Sequence, residues 1–73
     1  MSYLTKFEKI RVLGARATQI SNGAPSTVDT TGLTDALSIA KKELRENKLP
    51  LVIQRMYPDG TVVEIPVMEM KVQ

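Results

Sequence analysis

Seventy-three residues with ten basic and eight acidic side chains, a net charge of +2, and neither cysteine nor histidine exclude several classes at once. A chain this short forms one domain at most and buries only about 60% of the surface that it exposes when unfolded. Disulfide staples, the usual zinc, haem and iron–sulfur ligand sets, a histidine general base and a cysteine nucleophile are all ruled out, leaving idealised packing or a partner to stabilise the chain.

The first element is a helix over residues 5–21. At 100° per residue, Ile20, Leu13, Ala17, Ile10, Gly14 and Phe7 fall within one arc of roughly 140°, the width of a core-facing stripe. Thr5 is the N-cap, and Glu8 three positions on completes a capping box. The helix stops near Ser21-Asn22-Gly23, where Asn or Gly takes a left-handed cap, and Pro25 blocks continuation.

Residues 22–33 read as a loop, polar and β-branched without helical period. A second helix over residues 34–48 is capped by Thr34 or Asp35, with Leu33, Leu37, Ala40 and Leu44 on one side and Lys41, Arg45 and Lys48 on the other. Pro50 ends it, because the residue before proline is pushed out of the helical region. Glu43 lies on the edge of the apolar arc and needs a cationic partner or water. An Arg16–Glu43 pair bridging the two helices is the expected solution.

Residues 51–67 carry two β-prone runs, LVIQRMY and TVVEIPV, around Pro58-Asp59-Gly60, which is a hairpin signal. Pro66 makes the second strand an edge or ends it. The fold class is therefore a small α+β domain, two helices joined by a loop and followed by a C-terminal hairpin. A lone hairpin is marginal in water, so this one leans on the helices or is extended by another chain.

Gly14 costs about 1 kcal/mol relative to alanine in an exposed helix and calls for compensation. With Ala15 and Ala17 it makes a shallow groove, to be filled by the second helix or by a foreign backbone. Lys9, Arg11 and Arg16 flank the apolar stripe, either snorkelling or offering donors to carboxylates and carbonyls. Arg55 is a charge that guards a strand edge, or a contact for phosphate or an acidic strip on a partner. Met56, Met68 and Met70 are adaptable packing residues of a kind that also serves at interfaces.

No catalytic constellation is present: the carboxylates are not paired on a face, no serine lies in a glycine elbow, and Gly32 lacks the companions of a phosphate loop. A free-standing basic nucleic-acid-binding module is the alternative to a protein-binding role. Against it stand only three aromatic residues, far apart, and no clustered basic run. No apolar run approaches the ~20 residues of a membrane span, and no basic-then-apolar leader opens the sequence, so a soluble intracellular chain is expected.

Two blocks carry a more specific signal. Leu4-Thr5-Lys6-Phe7-Glu8-Lys9, Arg11-Val12-Leu13-Gly14-Ala15-Arg16-Ala17, Gln19-Ile20-Ser21 and Gly23-Ala24-Pro25 form the first. Ile39-Ala40, Glu43-Leu44, Lys48-Leu49-Pro50-Leu51, Ile53, Arg55 and Tyr57-Pro58-Asp59-Gly60 form the second. Together, from about Leu4 to Met70, they resemble the small omega-like subunit of multi-subunit DNA-directed RNA polymerases, shared by the eukaryotic nuclear enzymes and called K in archaea. Ala36 replaces a usual proline, which loosens the lead-in to the second helix. Gln54 replaces the first of two usual arginines, Ile65-Pro66-Val67 replaces a tryptophan-containing segment, and the acidic N-terminal tail of nuclear members is not seen. These departures suggest an archaeal, viral or divergent eukaryotic version, or a shortened chain.

The resemblance implies a non-catalytic subunit without cofactor or metal, not a homo-oligomer and not a membrane protein. It would latch the C-terminal region of the largest subunit, support assembly and stability, and lie near the stalk subunits, meeting DNA only through the complex. The expected location is the nucleus in a eukaryote, or the cytoplasm or a virion or viral factory otherwise. Carried onto this sequence, the partner-binding residues are Lys6, Phe7, Arg11, Gly14, Arg16 and Gln19, then Glu43, Pro50 and Arg55, with the apolar arc of the first helix holding it to its own domain.

Overall fold

A computed structural model describes residues 2–72. In chain order it contains β1 (Tyr3–Leu4), α1 (Lys6–Ser21), α2 (Ala36–Arg45), β2 (Val52–Met56), β3 (Val62–Pro66), a 3-10 turn (Val67–Glu69) and β4 (Lys71–Val72). The body is elongated, 45 × 23 × 17 Å.

Both ends of α1 follow from local chemistry. The Thr5 hydroxyl accepts from the Glu8 amide at 3.1 Å while the Glu8 carboxylate accepts from the Thr5 amide at 2.9 Å, so the capping box is complete. At the other end Gly23 takes φ 101°, and the amides of Gly23 and Ala24 donate to the carbonyls of Ile20 and Gln19, each at 3.0 Å. That is a Schellman closure, and only a residue tolerant of positive φ permits it.

The second helix is shorter than the 34–48 expected. Asn47, at φ 59°, donates to Leu44 and lets Lys48 donate to the Glu43 carbonyl at 2.7 Å, a second Schellman closure that stops the helix at Arg45, before Pro50 can act. Its start is tied by one side-chain bond. The Asp35 carboxylate accepts from the Ser38 amide at 3.3 Å, and Ser38 has no carboxylate to return the bond.

The β2–β3 pair is antiparallel, with Ile53 opposite Ile65 and Met56 opposite Val62. Gly60, at φ 90°, and the Asp59 carboxylate, which accepts from the Thr61 amide at 2.9 Å, shape the turn between them. Pro66 occupies the last position of β3, where its missing donor costs no ladder bond. The parallel β1–β4 ladder, Tyr3 to Lys71 and Leu4 to Val72, was not expected, because two residues per strand carry no readable period.

The core gathers Leu4 of β1, Val12 and Leu13 of α1, Ala40 and Leu44 of α2, Ile53 of β2 and Val67 of the 3-10 turn, with Leu49 and Met70 from the connections; β3 adds only the half-buried Ile65. Leu37, assigned to the core face of α2, is instead 41% exposed, because the buried side of α2 is centred on Ala40, Glu43 and Leu44.

Candidate functional site

Arg16 and Glu43 meet across the helix pair as expected. The Arg16 Nε donates to Glu43 Oε1 at 2.6 Å and Nη2 donates to Oε2 at 2.9 Å, a two-pronged bond that matches a planar guanidinium to a carboxylate. Glu43 is fully buried and Arg16 is 4% exposed. The Glu43 carboxylate also accepts from the Thr27 amide at 2.9 Å and lies within 3.1 Å of the Thr27 hydroxyl. Arg16 donates in addition to the Pro25 carbonyl and the Gln19 side-chain oxygen. Burial works against the charge on Glu43, yet the bonds from Arg16 and Thr27 outweigh it and draw the carboxyl below the usual range. The same contact with Glu43 raises Arg16.

This cluster unites Arg16, Gln19 and Glu43 of the predicted set and ties the loop at residues 25–27 to both helices. Four of the five N–H donors of Arg16 are directed at this chain's own Glu43, Pro25 and Gln19. These bonds within the chain place Arg16 behind the exposed face of α1, in the pairing with Glu43 that the sequence predicts.

The outer face of α1 presents the opposite composition. Phe7 is 81% exposed and Ile10 is 64% exposed, although both had been assigned to the stripe facing the core. The buried sector consists of Val12, Leu13 and Arg16, with Ile20 and Ala17 half-buried behind them. Pairing Arg16 with Glu43 while burying Val12 turns the helix so that Phe7 and Ile10 point away from its own body. A β-carbon at Gly14 would meet nothing within 4 Å, so α2 does not fill the space above that glycine. Lys6, Phe7, Arg11 and Gly14 thus share one exposed face with Ile10, whose outward role the sequence reading missed. Its spacing of three from Phe7 was the available signal.

Arg55 is engaged elsewhere. It donates to the Glu8 carboxylate at 2.9 and 2.8 Å and to the Tyr3 carbonyl at 2.7 Å, joining the hairpin to the start of α1. The Arg55 guanidinium, helped by the Thr5 amide, holds the Glu8 carboxyl down at about 2. Beside this bridge an open groove of about 360 Å³ runs between α1 and β2, lined by Arg11, Val12, Ala15 and Leu51 among others. Pro50 stands apart, exposed after the second helix.

Among the described residues no cluster of three or more acidic side chains is placed to hold a metal ion, and no helix is long and apolar enough to cross a membrane. What the geometry offers is a surface: an apolar helix face flanked by two cations on a rigid base.

The family model "RNA polymerase Rpb6" matches residues 2–51. The chain is 54% identical over 68 residues to the Saccharomyces cerevisiae protein named DNA-directed RNA polymerases I, II, and III subunit RPABC2, covering 93% of this chain and 44% of that one. It is 50% identical over 68 residues to the protein of the same name in Schizosaccharomyces pombe, covering 93% and 48%. It is 48% identical over 71 residues to DNA-directed RNA polymerases II and V subunit 6B of Arabidopsis thaliana, covering 97% and 49%. The chain thus spans about half the length of the curated relatives it matches.

Proposed function

This chain belongs to the RNA polymerase Rpb6 family, and from that premise we propose that it is a non-catalytic subunit of a multi-subunit DNA-directed RNA polymerase. Its task is to latch the C-terminal region of the largest subunit and so support assembly, stability and attachment of the stalk. In a eukaryotic cell it works in the nucleus, and it meets DNA only through the complex. The observation that carries the reading is the exposed Phe7 and Ile10 on a helix whose other side is already packed.

Physically, a latch acts by favouring one arrangement of a longer polypeptide. Binding two stretches of that polypeptide at once restricts its unfolded ensemble and shifts it toward the assembled state by mass action. Phe7 and Ile10 supply apolar anchors, Gly14 lets a foreign backbone approach closely, and Lys6 and Arg11 orient a carboxylate or carbonyl beside them. Arg16, Gln19 and Glu43 keep the helix rigid from behind, while Arg55 fixes its first turn through Glu8.

The test is tagged expression of the whole chain, wild type and with Phe7→Asp and Ile10→Asp together, followed by identification of co-purifying chains. Recovery of the largest subunit with wild type and its loss with the double variant, whose circular dichroism is unchanged, is the expected result. Equal recovery of the largest subunit by both would overturn the assignment of this face.

A further inference from the structure

A second open groove, of about 560 Å³, lies between the two helices and the C-terminal strand and shares no residue with the face or the groove described above. Its rim carries Lys9 from α1 with Lys41 and Arg45 from α2, and Asn47 closes one end. Leu44 and Met70, both nearly fully buried, form its floor. No carboxylate lines it. Arg16, Lys42 and Arg55 each have a carboxylate partner, whereas none of the three rim cations has one among the described residues.

That arrangement is unfavourable in the chain alone. Lys41 and Arg45 are four residues apart on one helix, where like charges repel, and Lys9 adds a third positive charge opposite them. Position near the C-terminus of α2 compensates Arg45 through the helix dipole, whereas Lys41 feels only the exposed Asp35 carboxylate at a distance beyond an ion pair and Lys9 has no ion-pair partner among the described residues. A bound polyanion removes the repulsion. The floor is aliphatic and thioether, with no aromatic ring on which a base could stack, so it suits an apolar side chain better than a nucleotide.

We propose that the groove between Lys9, Lys41 and Arg45 docks an acidic segment of a partner polypeptide, whose carboxylates meet the three cations and whose aliphatic side chain rests on Leu44 and Met70. The site is separate from the latch face, so either can fail without the other.

The probe is a fluorescein-labelled peptide of alternating glutamate and leucine, titrated into the full chain and compared with its glutamine counterpart. The glutamate peptide should bind about tenfold more tightly, as two or three exposed ion pairs supply, and the advantage should shrink as salt is raised. The variant K41E/R45E should lose about tenfold in affinity, while K6E/R11E on the latch face keeps wild-type binding. Amide chemical-shift mapping on the wild-type chain decides the matter even if K41E/R45E fails to fold. Changes centred on Lys9, Leu13, residues 44–47 and Met70 support the site, and changes centred on Phe7, Ile10, Arg11 and Gly14, or none, overturn it. Equal affinity for the two peptides, wild-type affinity in folded K41E/R45E, or displacement of the peptide by an equal concentration of a thymidine oligonucleotide would also overturn it.

Discussion

Replacing Glu43 with leucine, Arg16 with methionine, and then both, separates what the buried pair contributes from what its burial demands. A chain of this length is stable by about 4 to 11 kcal/mol. Glu43→Leu leaves a guanidinium that is 4% exposed with only the Pro25 carbonyl and the Gln19 oxygen for company, and an orphaned buried charge of that kind costs about 3 to 5 kcal/mol. Arg16→Met leaves the fully buried carboxylate with its Thr27 donors, so its cost falls at the lower end of the same range. The double variant strands no charge and replaces the pair with apolar groups of similar size. It should lose no more than about 2 kcal/mol. The coupling between the two positions is then about 3 kcal/mol or more. Urea unfolding of the four proteins, followed by far-ultraviolet circular dichroism at constant denaturant slope, measures it. Additive single effects, with a coupling below about 0.5 kcal/mol, would refute the reasoning.

The Glu8–Arg55 bridge predicts a pH effect of a definite sign. A carboxyl held at about 2 rather than the ordinary 4.5 stabilises the fold fully above the higher value, and that contribution disappears as the pH falls toward the lower one. Taken whole, the difference is about 3 kcal/mol. With side chains 21% and 25% exposed, solvent screening reduces it to about 1 kcal/mol, so wild type should exceed E8Q by that amount at pH 7 and converge with it near pH 2 in urea titrations. Glutamine preserves the capping box, so a gap unchanged at low pH would contradict the assignment. G14A should raise the stability of the isolated chain by up to about 1 kcal/mol, since the new β-carbon meets nothing within 4 Å. The same variant should weaken recovery of the polymerase, and a loss of thermal stability would show that α1 is not free there. Asn47→Val should lower stability by about 1 to 2 kcal/mol, because a β-branched residue resists φ 59°, and an unchanged urea midpoint would exclude that turn.

The parts legible in the sequence are those whose physics is local or whose requirement is unique. The Thr5–Glu8 box, the Gly23 cap and the Pro58-Asp59-Gly60 turn involve residues within a few positions of one another. The Arg16–Glu43 pair was legible over 27 positions because a carboxylate on an apolar arc must find a cation. The earlier stop at Asn47 was less legible than Pro50, since asparagine in a left-handed cap is a weaker signal than proline. The β1–β4 ladder joins the two ends of the chain through two residues each, too few to show a period. The Glu8 partner of Arg55 was not legible, and left Arg55 open between an edge charge and a contact for a partner, because Glu8 already had a local role as a cap.

The misplaced face of α1 has a different cause, and it bears on function. Val12, Leu13 and Ile20 face inward while Phe7 and Ile10 face outward, so apolar residues occupy well over half the circumference. Periodicity finds the centre of an apolar arc, and when the arc is this wide its centre belongs to neither of the two surfaces it serves. A helix apolar on most sides is ordinarily buried on most sides. Covering Phe7 and Ile10 fully would gain about 1.5 to 3 kcal/mol apiece, which together is comparable with the lower bound of the chain's own stability. Burial of these two side chains by a partner is therefore comparable with the lower end of the fold's own surplus before the cost of association is subtracted, and net stabilisation by the partner requires further contacts beside them. The orientation of α1 thus links the chain's folding to its assembly: Arg16 fixes which side of the helix is satisfied at home, and the remainder is left for the polypeptide it holds.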